Sequence, residues 1–255
     1  MNYSNLFNLS GKVALITGAS KGIGEDIAHC LAAYGAKVVV SSRKLADVQS
    51  VADAIIAKGG EAMALEAHAA NEDHLKNLVA DTIKAYGGID ILINNAATNP
   101  TYGPTLETPV SAFDKIMDVN VKAPFILANL VHASMKARGG GSIINISSIA
   151  GHSPDPGLGI YSVSKAALNM LTKVNAKEWG QDNIRVNAIC PGLIKTKFSQ
   201  ALWQDEKTLK HFTGRLPIAR MGTVEEISPL ALYLASDASA YCTGQLMSVD
   251  GGTII

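Results

Sequence analysis

The fold is decided by one stretch near the amino terminus, Val13-Ala-Leu-Ile-Thr-Gly-Ala-Ser-Lys-Gly-Ile-Gly24. Its first five residues predict a buried strand, and the apolar-periodic run that begins near Gly22 predicts a helix. Gly18 permits a tight turn out of the strand, and the later glycines let backbone amides approach an anion at the positive end of the helix. The stretch therefore predicts a pyrophosphate-binding turn; the alternative is a purely structural glycine-rich turn. The residues assigned to this turn are Gly18, Ser20, Lys21, Gly22, Ile23 and Gly24.

Outward from this stretch, short β-branched runs alternate with longer helical patterns to the end of the chain. Predicted strands lie at 12–17, 37–41, 62–66, 89–94, 141–147, 184–190 and 245–249. Predicted helices lie at 22–34, 44–58, 72–86, 112–137, 160–180 and 224–236. This alternation predicts an α/β fold with a parallel sheet and helices on both faces. No linker or repeat interrupts it, so we interpret 1–255 as a single domain, with a substrate lid at about 193–215 where periodicity is sparse.

Composition excludes several classes of function. The chain has 255 residues, and its 22 basic and 22 acidic residues cancel, which leaves no charge pattern for nucleic acid or an anionic membrane. No apolar run approaches the ~18 residues of a membrane span, and the start lacks a secretory signal, so a cytoplasmic location is expected. Cys30, Cys190 and Cys242 are widely spaced and have no Cys/His neighbours at metal-ligand spacing. We therefore expect reduced cysteines and no metal.

A second informative cluster lies in the middle of the chain. Tyr161 and Lys165 are four residues apart at the start of a predicted helix, so the phenol and the ammonium project from the same face. A buried strand precedes them and ends in two hydroxyls, Ser147 and Ser148. Tyr-x-x-x-Lys alone is common by chance, but a serine at a strand end that faces a tyrosine on the next helix predicts a proton-transfer site.

The end of the second strand bears on the nucleotide that binds. It reads Ser42-Arg43-Lys44, with no acid until Asp47. An acid there would accept hydrogen bonds from ribose hydroxyls and repel a 2′-phosphate. Arg43 can instead bind a phosphate bidentately, Ser42 can donate to it, and Lys21 adds a charge. The pattern favours NADP(H), with NAD(H) possible; the alternative is that Arg43 and Lys44 are solvated charges at a helix start.

Further motifs run through the whole chain. They are Thr17-Gly-Ala-Ser-Lys-Gly-Ile-Gly24, Asn94-Asn-Ala-Ala97, Asn120 in Asp118-Val-Asn-Val, Ser148, Tyr161 with Lys165, Pro191-Gly192 and Asp250-Gly-Gly252. On these motifs the chain resembles the short-chain dehydrogenase/reductase family, in its single-domain branch, and looks like the NADPH-dependent carbonyl and retinol reductases of the dehydrogenase/reductase member 4 type. The resemblance implies a Rossmann-like, doubly wound, seven-stranded sheet, a nicotinamide cofactor and a homotetramer built on the helices near 112–137 and 160–180.

The chemistry assigns roles to four catalytic candidates. Tyr161 is the acid for carbonyl reduction and its phenolate is the base for alcohol oxidation. An ammonium about 4 Å away at an effective dielectric constant of ~20 is worth roughly 4 kcal/mol, so we expect Lys165 to lower the phenol pKa by up to ~3 units. Ser148 orients the substrate oxygen. By resemblance, Asn120 holds a water that relays protons to Lys165.

The remaining assignments concern the cofactor and the substrate pocket. Asn94 contacts the cofactor or ties adjacent strands together, and Ile194 and Thr196 engage the carboxamide by resemblance. Further residues assigned to the cofactor are Ala96, Tyr161, Lys165, Pro191 and Gly192. Residues assigned to the substrate are Ser148, His152, Leu158, Tyr161, Phe198, Leu202 and Trp203. This mostly apolar and aromatic set suits a medium-sized hydrophobic or aromatic ketone and its secondary alcohol.

Two positions depart from the family pattern, and three other functions stay open. Ala97 replaces a usual glycine, and His68 stands where an aspartate commonly contacts adenine, so His68 receives no role. A 3-oxoacyl-carrier-protein reductase shares all the catalytic residues. A redox-neutral sugar-nucleotide epimerase shares Tyr-x-x-x-Lys but resembles a longer chain. A catalytically silent nucleotide sensor is the non-enzyme alternative, and it would be expected to have lost a catalytic hydroxyl or the lysine.

Overall fold

Seven parallel strands form one sheet in the computed structural model, which describes residues 3–204, 206–214 and 216–255. The strands are β1 Val13–Thr17, β2 Lys37–Ser42, β3 Glu61–Glu66, β4 Ile91–Asn94, β5 Gly141–Ile146, β6 Ile184–Pro191 and β7 Leu246–Val249. Their order is β3-β2-β1-β4-β5-β6-β7. The chain builds outward from β1 in one direction and then from β4 in the other. This change of direction opens a crevice at the carboxyl ends of β1 and β4, where such sheets bind ligands.

Helices cover both faces of the sheet, as the strand–helix alternation predicts. The α-helices in the described residues are α1 Ile23–Ala33, α2 Leu45–Ala57, α3 Glu72–Tyr86, α4 Val110–Met117, α5 Ala123–Ala137, α6 Gly159–Trp179, α7 Glu206–Thr213 and α8 Ser228–Ala235. Successive strand side chains point to opposite faces, so Ile16 packs with Ile27 of α1 while Leu15 packs with Leu78 of α3. None of the described helices combines the length and apolar composition that a bilayer crossing requires.

The predicted strands are all present, and their ends differ from the prediction by at most two residues. The predicted helix at 112–137 is instead divided into α4 and α5 by a π-helical turn, Asp118–Lys122. Pro124 stands at the start of α5 and lacks a backbone N–H, so the regular hydrogen-bond ladder is not continuous there. In the lid segment the structure has a 3-10 helix, Gln200–Leu202, followed by α7, while Asp205 and Arg215 lie outside the described residues.

Candidate active site

The glycine loop between β1 and α1 forms one wall of the crevice. Gly18 has a φ of +64°, and a Cβ added there would lie 2.8 Å from the Cα of Ala96, so only glycine fits. Gly22 precedes α1 and provides no side-chain cap, which leaves the first N–H groups of the helix without a side-chain acceptor. These N–H groups and the positive end of the helix dipole suit an anionic group. The loop therefore suits an anionic group, and its binding of a dinucleotide pyrophosphate stays a prediction.

Asn95 holds this loop in place, a role that the sequence reasoning missed. Its Nδ2 donates to the carbonyl oxygens of Thr17 at 3.0 Å and Gly18 at 2.9 Å. The hydroxyl of Thr17 in turn accepts from the backbone N–H groups of Asn95 at 3.2 Å and Ala96 at 3.1 Å. Asn94 instead donates from Nδ2 to Oδ1 of Asn145 at 2.9 Å, which ties β4 to β5. Of the two predicted roles of Asn94, the contact agrees with the one that ties adjacent strands together. The next residue, Asn95, supports the glycine loop.

The end of β2 carries an exposed cation. Ser42 Oγ donates to the carbonyl oxygen of Lys44 at 3.2 Å, and Arg43 beside it is exposed. Among the described residues, the arginine ion pairs join Arg138 to Asp90 and Arg220 to Glu226, and Arg43 forms none. The guanidinium at this strand end is therefore available to an incoming anion.

The residues that the sequence predicts for proton transfer lie close together. Tyr161 and Lys165 lie in the first turns of α6, and both are buried, with exposed fractions of 9% and 2%. Nζ of Lys165 lies 5.6 Å from the ring centroid of Tyr161 and donates to the carbonyl oxygen of Ile146 at 2.8 Å. The Ser148 hydroxyl accepts from the backbone N–H of Ala150 at 3.1 Å and lies close enough to the phenol of Tyr161 to lower its pKa. A hydroxyl, a phenol and an ammonium thus share one buried space.

Burial dominates the acid–base properties of this pair. It raises the pKa of Tyr161 to about 12, against a smaller lowering of that pKa by the nearby Ser148 hydroxyl. It also lowers the pKa of Lys165 to about 8. The expectation that the phenol pKa is lowered is therefore wrong for these residues by themselves, because desolvation of the phenolate is the largest effect on Tyr161 and raises its pKa. The phenol consequently keeps its proton at neutral pH.

Asn120 occupies the π-helical turn and is fully buried. Its Oδ1 accepts from the backbone N–H of Thr98 at 2.8 Å, and its Nδ2 donates to the Thr98 carbonyl and to Ser164 Oγ, both at 3.0 Å. Ser164 Oγ donates to the carbonyl oxygen of Tyr161 at 2.7 Å. The Asn120 side chain thus fixes the loop after β4 to α6. These contacts use both N–H groups of the Asn120 amide. That Asn120 holds a water that relays protons to Lys165 stays a prediction.

The lid segment lies over the glycine loop and beside the phenol. A Cβ added at Gly22 would lie 3.4 Å from Cγ2 of Thr196. The ring of Phe198 lies 6.0 Å from that of Tyr161, centroid to centroid, and is 55% exposed. Trp203 instead donates from Nε1 to the Thr196 carbonyl and to Ser199 Oγ, both at 3.2 Å, so its polar edge is used within the lid. Among the described lid residues predicted to contact the substrate, Phe198 is the one whose ring lies near Tyr161.

The other predicted residues lie at the end of β6 or on the segments that follow β5 and β6. Leu158 forms a β-bridge with Gly103, which joins the loop after β4 to the loop before α6, and Leu202 is half-buried in the 3-10 helix of the lid. Gly192 packs against Asp250, where an added Cβ would lie 2.7 Å from the Asp250 Cα. Nε2 of His152 lies 3.3 Å from Sγ of Cys190, a second residue that the sequence reasoning missed. Residues Pro191 and Ile194 are buried at the end of β6 and beyond it.

Comparison with known proteins gives a consistent result. A family model described as "Enoyl-(Acyl carrier protein) reductase" matches residues 18–253. Dehydrogenase/reductase SDR family member 4 of Bos taurus is 43% identical over 96% of this chain and 88% of its own length. A 7α-hydroxysteroid dehydrogenase structure, complexed with NADH and 7-oxo glycochenodeoxycholic acid, is 36% identical with a TM-score of 0.95 over 99% of this chain and 98% of its own.

A second solved structure extends the comparison. A gluconate 5-dehydrogenase from Burkholderia cenocepacia J2315, in complex with NADP and tartrate, is 33% identical with a TM-score of 0.95 over 98% of both chains. The family match, the relatives and the assembled Ser148–Tyr161–Lys165 cluster agree with one another. The chain therefore belongs to the short-chain dehydrogenase/reductase family, as an NAD(P)-dependent oxidoreductase acting on CH–OH and C=O groups.

Proposed function

We propose that the protein transfers hydride between NADP(H) and the carbonyl or secondary alcohol of a medium-sized hydrophobic or aromatic substrate. The observation that carries this proposal is the buried phenol of Tyr161, which lies close to the Ser148 hydroxyl and to the ammonium of Lys165. When bound, the nicotinamide cofactor supplies or accepts the hydride. In reduction, Tyr161 donates its proton to the carbonyl oxygen while the Ser148 hydroxyl orients that oxygen. A phenol with a pKa of about 12 holds the proton that this step needs.

The preference for NADP(H) over NAD(H) rests on the end of β2. Arg43 is exposed there, and Lys21 in the glycine loop is exposed as well, so both charges are free to approach a 2′-phosphate. The change Ser42→Asp places a carboxylate beside that position. We expect this variant to lose preference for NADPH and gain preference for NADH, measured as the ratio of kcat/KM values. An unchanged ratio contradicts this assignment of the loop.

The substrate class rests on the apolar edge of the crevice. The exposed ring of Phe198 beside Tyr161, together with half-buried Leu158 and Leu202, suits an apolar or aromatic group attached to the reacting carbonyl. The experiment is a panel of aromatic, aliphatic and 3-oxoacyl ketones, followed by NADPH absorbance with NADH in parallel. We expect the highest kcat/KM with aromatic ketones and NADPH.

A 3-oxoacyl-carrier-protein reductase is the second candidate. The description of the matching family model names an acyl-carrier-protein reductase, which is the observation in its favour. In the same panel, a 3-oxoacyl thioester that outperforms every aromatic ketone would replace the first proposal. A redox-neutral epimerase would consume no NADPH in any arm of the panel, so the same experiment tests it.

We further propose a homotetramer. Large apolar side chains stay exposed along α4, α5 and α6, the helices expected to form subunit contacts. They are Val110, Phe113, Phe125, Val163, Met170 and Val174. An apolar face of this extent is typical of a protein interface. Sedimentation equilibrium of the full chain and of Phe125→Glu tests it, with a smaller assembly expected for the variant. A cytoplasmic location and the role of 193–215 as a lid stay predictions from the sequence.

A further inference from the structure

The lid segment begins with a turn, residues 194–199, that closes on itself through one hydroxyl; we call it the lid turn. Oγ of Ser199 donates to the carbonyl oxygen of Ile194 at 2.5 Å and accepts from the backbone N–H of Thr196 at 3.2 Å. The backbone N–H of Ser199 donates to Oγ1 of Thr196 at 3.3 Å. These contacts join the two ends of the lid turn, so its shape depends on Ser199.

Trp203 holds the lid turn from the end of the 3-10 helix that follows it. Its Nε1–H is shared between the Thr196 carbonyl oxygen and Ser199 Oγ, both at 3.2 Å, and an indole carries no other hydrogen-bonding group. Nζ of Lys195 lies 5.8 Å from the centroid of the Trp203 ring, within the range of a cation–π interaction. The N–H and the face of this half-buried ring thus both contact the lid turn.

A backbone contact closes the base of the lid segment. Ile194 and Gly222 form a parallel β-bridge. Its hydrogen bonds run from the Lys195 N–H to the Gly222 carbonyl oxygen at 2.9 Å and from the Gly222 N–H to the Leu193 carbonyl oxygen at 3.0 Å. The bridge fixes where the lid turn begins, while the contacts of the Trp203 indole fix its shape.

The lid turn lies between two parts of the site that the reaction uses. On one side, a Cβ added at Gly22 of the glycine loop would lie 3.4 Å from Cγ2 of Thr196. On the other side, the ring of Phe198 lies 6.0 Å from that of Tyr161, centroid to centroid. The lid turn thus extends from the predicted pyrophosphate site to the proton donor.

We propose that Trp203 and Ser199 are positioning residues for the cofactor, which hold the lid turn against the nicotinamide half of the dinucleotide. Hydride transfer requires the nicotinamide beside the carbon whose oxygen Tyr161 protonates, and the lid turn joins Tyr161 to the glycine loop. Trp203 therefore serves the cofactor rather than the substrate. This inference rests on the proposed function in one respect, hydride transfer beside Tyr161, and is independent of which ketone is reduced.

The first test compares NADP⁺ with 2′-phospho-ADP-ribose, which lacks the nicotinamide, by isothermal titration calorimetry of the full chain. Trp203→Phe keeps a ring but loses the N–H. It should weaken NADP⁺ binding about fivefold, as expected for one lost hydrogen bond, and leave 2′-phospho-ADP-ribose binding unchanged. NAD⁺ and ADP-ribose form the equivalent pair for a protein that prefers NAD⁺. An equal loss for both ligands of a pair, or no loss for either, overturns the proposal.

Three further variants keep this test independent of any general damage to the fold. Ser199→Ala should repeat the pattern of Trp203→Phe, whereas Ser199→Thr keeps a hydroxyl and should bind NADP⁺ as the wild type does. The matched control is Trp179→Phe, at the other tryptophan of the chain, which ends α6 and should change neither Kd. A Ser199→Thr variant as weak as Ser199→Ala contradicts the role assigned to the hydroxyl.

The second test uses the fluorescence of Trp203, which is the sole tryptophan in Trp179→Phe, and needs no turnover. We expect NADP⁺ to reduce the quenching of Trp203 by acrylamide, because the bound nicotinamide half holds the lid turn in place, whereas 2′-phospho-ADP-ribose should not. Protection that appears only when a ketone is added makes Trp203 a substrate contact and overturns the proposal. A protein that shows the expected binding pattern but reduces no ketone contradicts the proposed function and retains the role of Trp203.

Discussion

The two edges of the sheet differ in how completely their buried polar groups are hydrogen-bonded. At the amino edge, Asp90 precedes β4 and is 4% exposed, and its carboxylate accepts from the backbone N–H of Val13 at 2.8 Å and from Arg138 Nε and Nη2 at 2.8 and 2.9 Å. At the carboxyl edge, among the residues that the structure describes, Asn94 Oδ1 is buried with no hydrogen-bond partner, and Lys165 Nζ donates to a single acceptor, the carbonyl oxygen of Ile146. The buried polar groups at the amino edge are therefore fully hydrogen-bonded, whereas those at the carboxyl edge keep unused hydrogen-bonding capacity.

The arginines of the two edges repeat the contrast. Arg185, at the start of β6, donates to Ser239 Oγ and to the carbonyl of Leu234, both at 2.8 Å. Arg43, after β2, is exposed and forms no ion pair among the described residues. A polar group that is satisfied inside the protein stabilises the fold, whereas one with free capacity is available to a ligand. We therefore expect substitutions at the amino edge to change stability and substitutions at the carboxyl edge to change activity.

The largest expected effect is at Tyr161. In Tyr161→Phe the ring stays and the proton donor is lost, so kcat should fall by about 10³-fold, in the range that general acid catalysis contributes. The free energy of unfolding should change little, because one hydroxyl is removed from a site that keeps its packing. Steady-state kinetics and urea unfolding of the same preparations measure both quantities. Robust turnover in this variant would contradict the assignment of Tyr161 as the acid.

The second effect is on stability at the amino edge. Arg138→Met leaves the buried carboxylate of Asp90 without its bidentate partner, which should cost about 3 kcal/mol of unfolding free energy. The control at the same edge is Lys37→Met, since the Lys37–Glu61 pair is partly exposed and should contribute less than about 1 kcal/mol. Urea unfolding measures both variants. If both variants lost a similar amount of unfolding free energy, or if folded Arg138→Met lost kcat, the proposed difference between a stabilising amino edge and a functional carboxyl edge would be contradicted.

Much of this contrast follows from local sequence. Continuous β-branched runs predict the strands, and Tyr161 and Lys165 meet because positions four apart on a helix share a face. The Ser148 hydroxyl reaches them because its strand ends at the same edge as the start of α6. These parts of the site depend on spacing within one segment, so they could be predicted from the sequence.

Other parts depend on tertiary packing. Asn94 and Asn95 are adjacent in one motif, and only the way β4 ends decides which of them supports the glycine loop. Cys190 and His152 meet across 38 positions. The pKa of Tyr161 depends on how far water is excluded, which spacing does not reveal, so the predicted direction was wrong. Sequence thus located the reactive groups but not their surroundings.

The third prediction concerns an arginine at the carboxyl edge, Arg43, and its effect on cofactor binding. Arg43→Met should weaken NADPH binding by roughly 30-fold, equivalent to the loss of about 2 kcal/mol from a charge-assisted hydrogen bond. NADH binding should be unchanged, because NADH lacks the 2′-phosphate. Stability should also be unchanged, in contrast to Arg138→Met. Fluorescence titration with both dinucleotides measures the binding. An equal loss for NADH and NADPH would show that Arg43 does not recognise the phosphate.

The smallest expected effect is a pH dependence of the rate, which distinguishes Lys165 at the carboxyl edge from Arg138 at the amino edge. Burial lowers the pKa of Lys165 to about 8, while the hydrogen bond to Asp90 raises that of Arg138, so only Lys165 loses charge in the mildly alkaline range. Since Tyr161, with a pKa of about 12, keeps its proton there, a fall in the rate of reduction reports on Lys165. We expect kcat/KM to be about tenfold lower at pH 9 than at pH 7, as one titration with that pKa requires. The residual rate of Lys165→Met should not show this fall. A wild-type profile that stays level to pH 10 would mean that the ammonium is not needed for proton transfer, and Lys165 would then belong with the satisfied groups of the opposite edge.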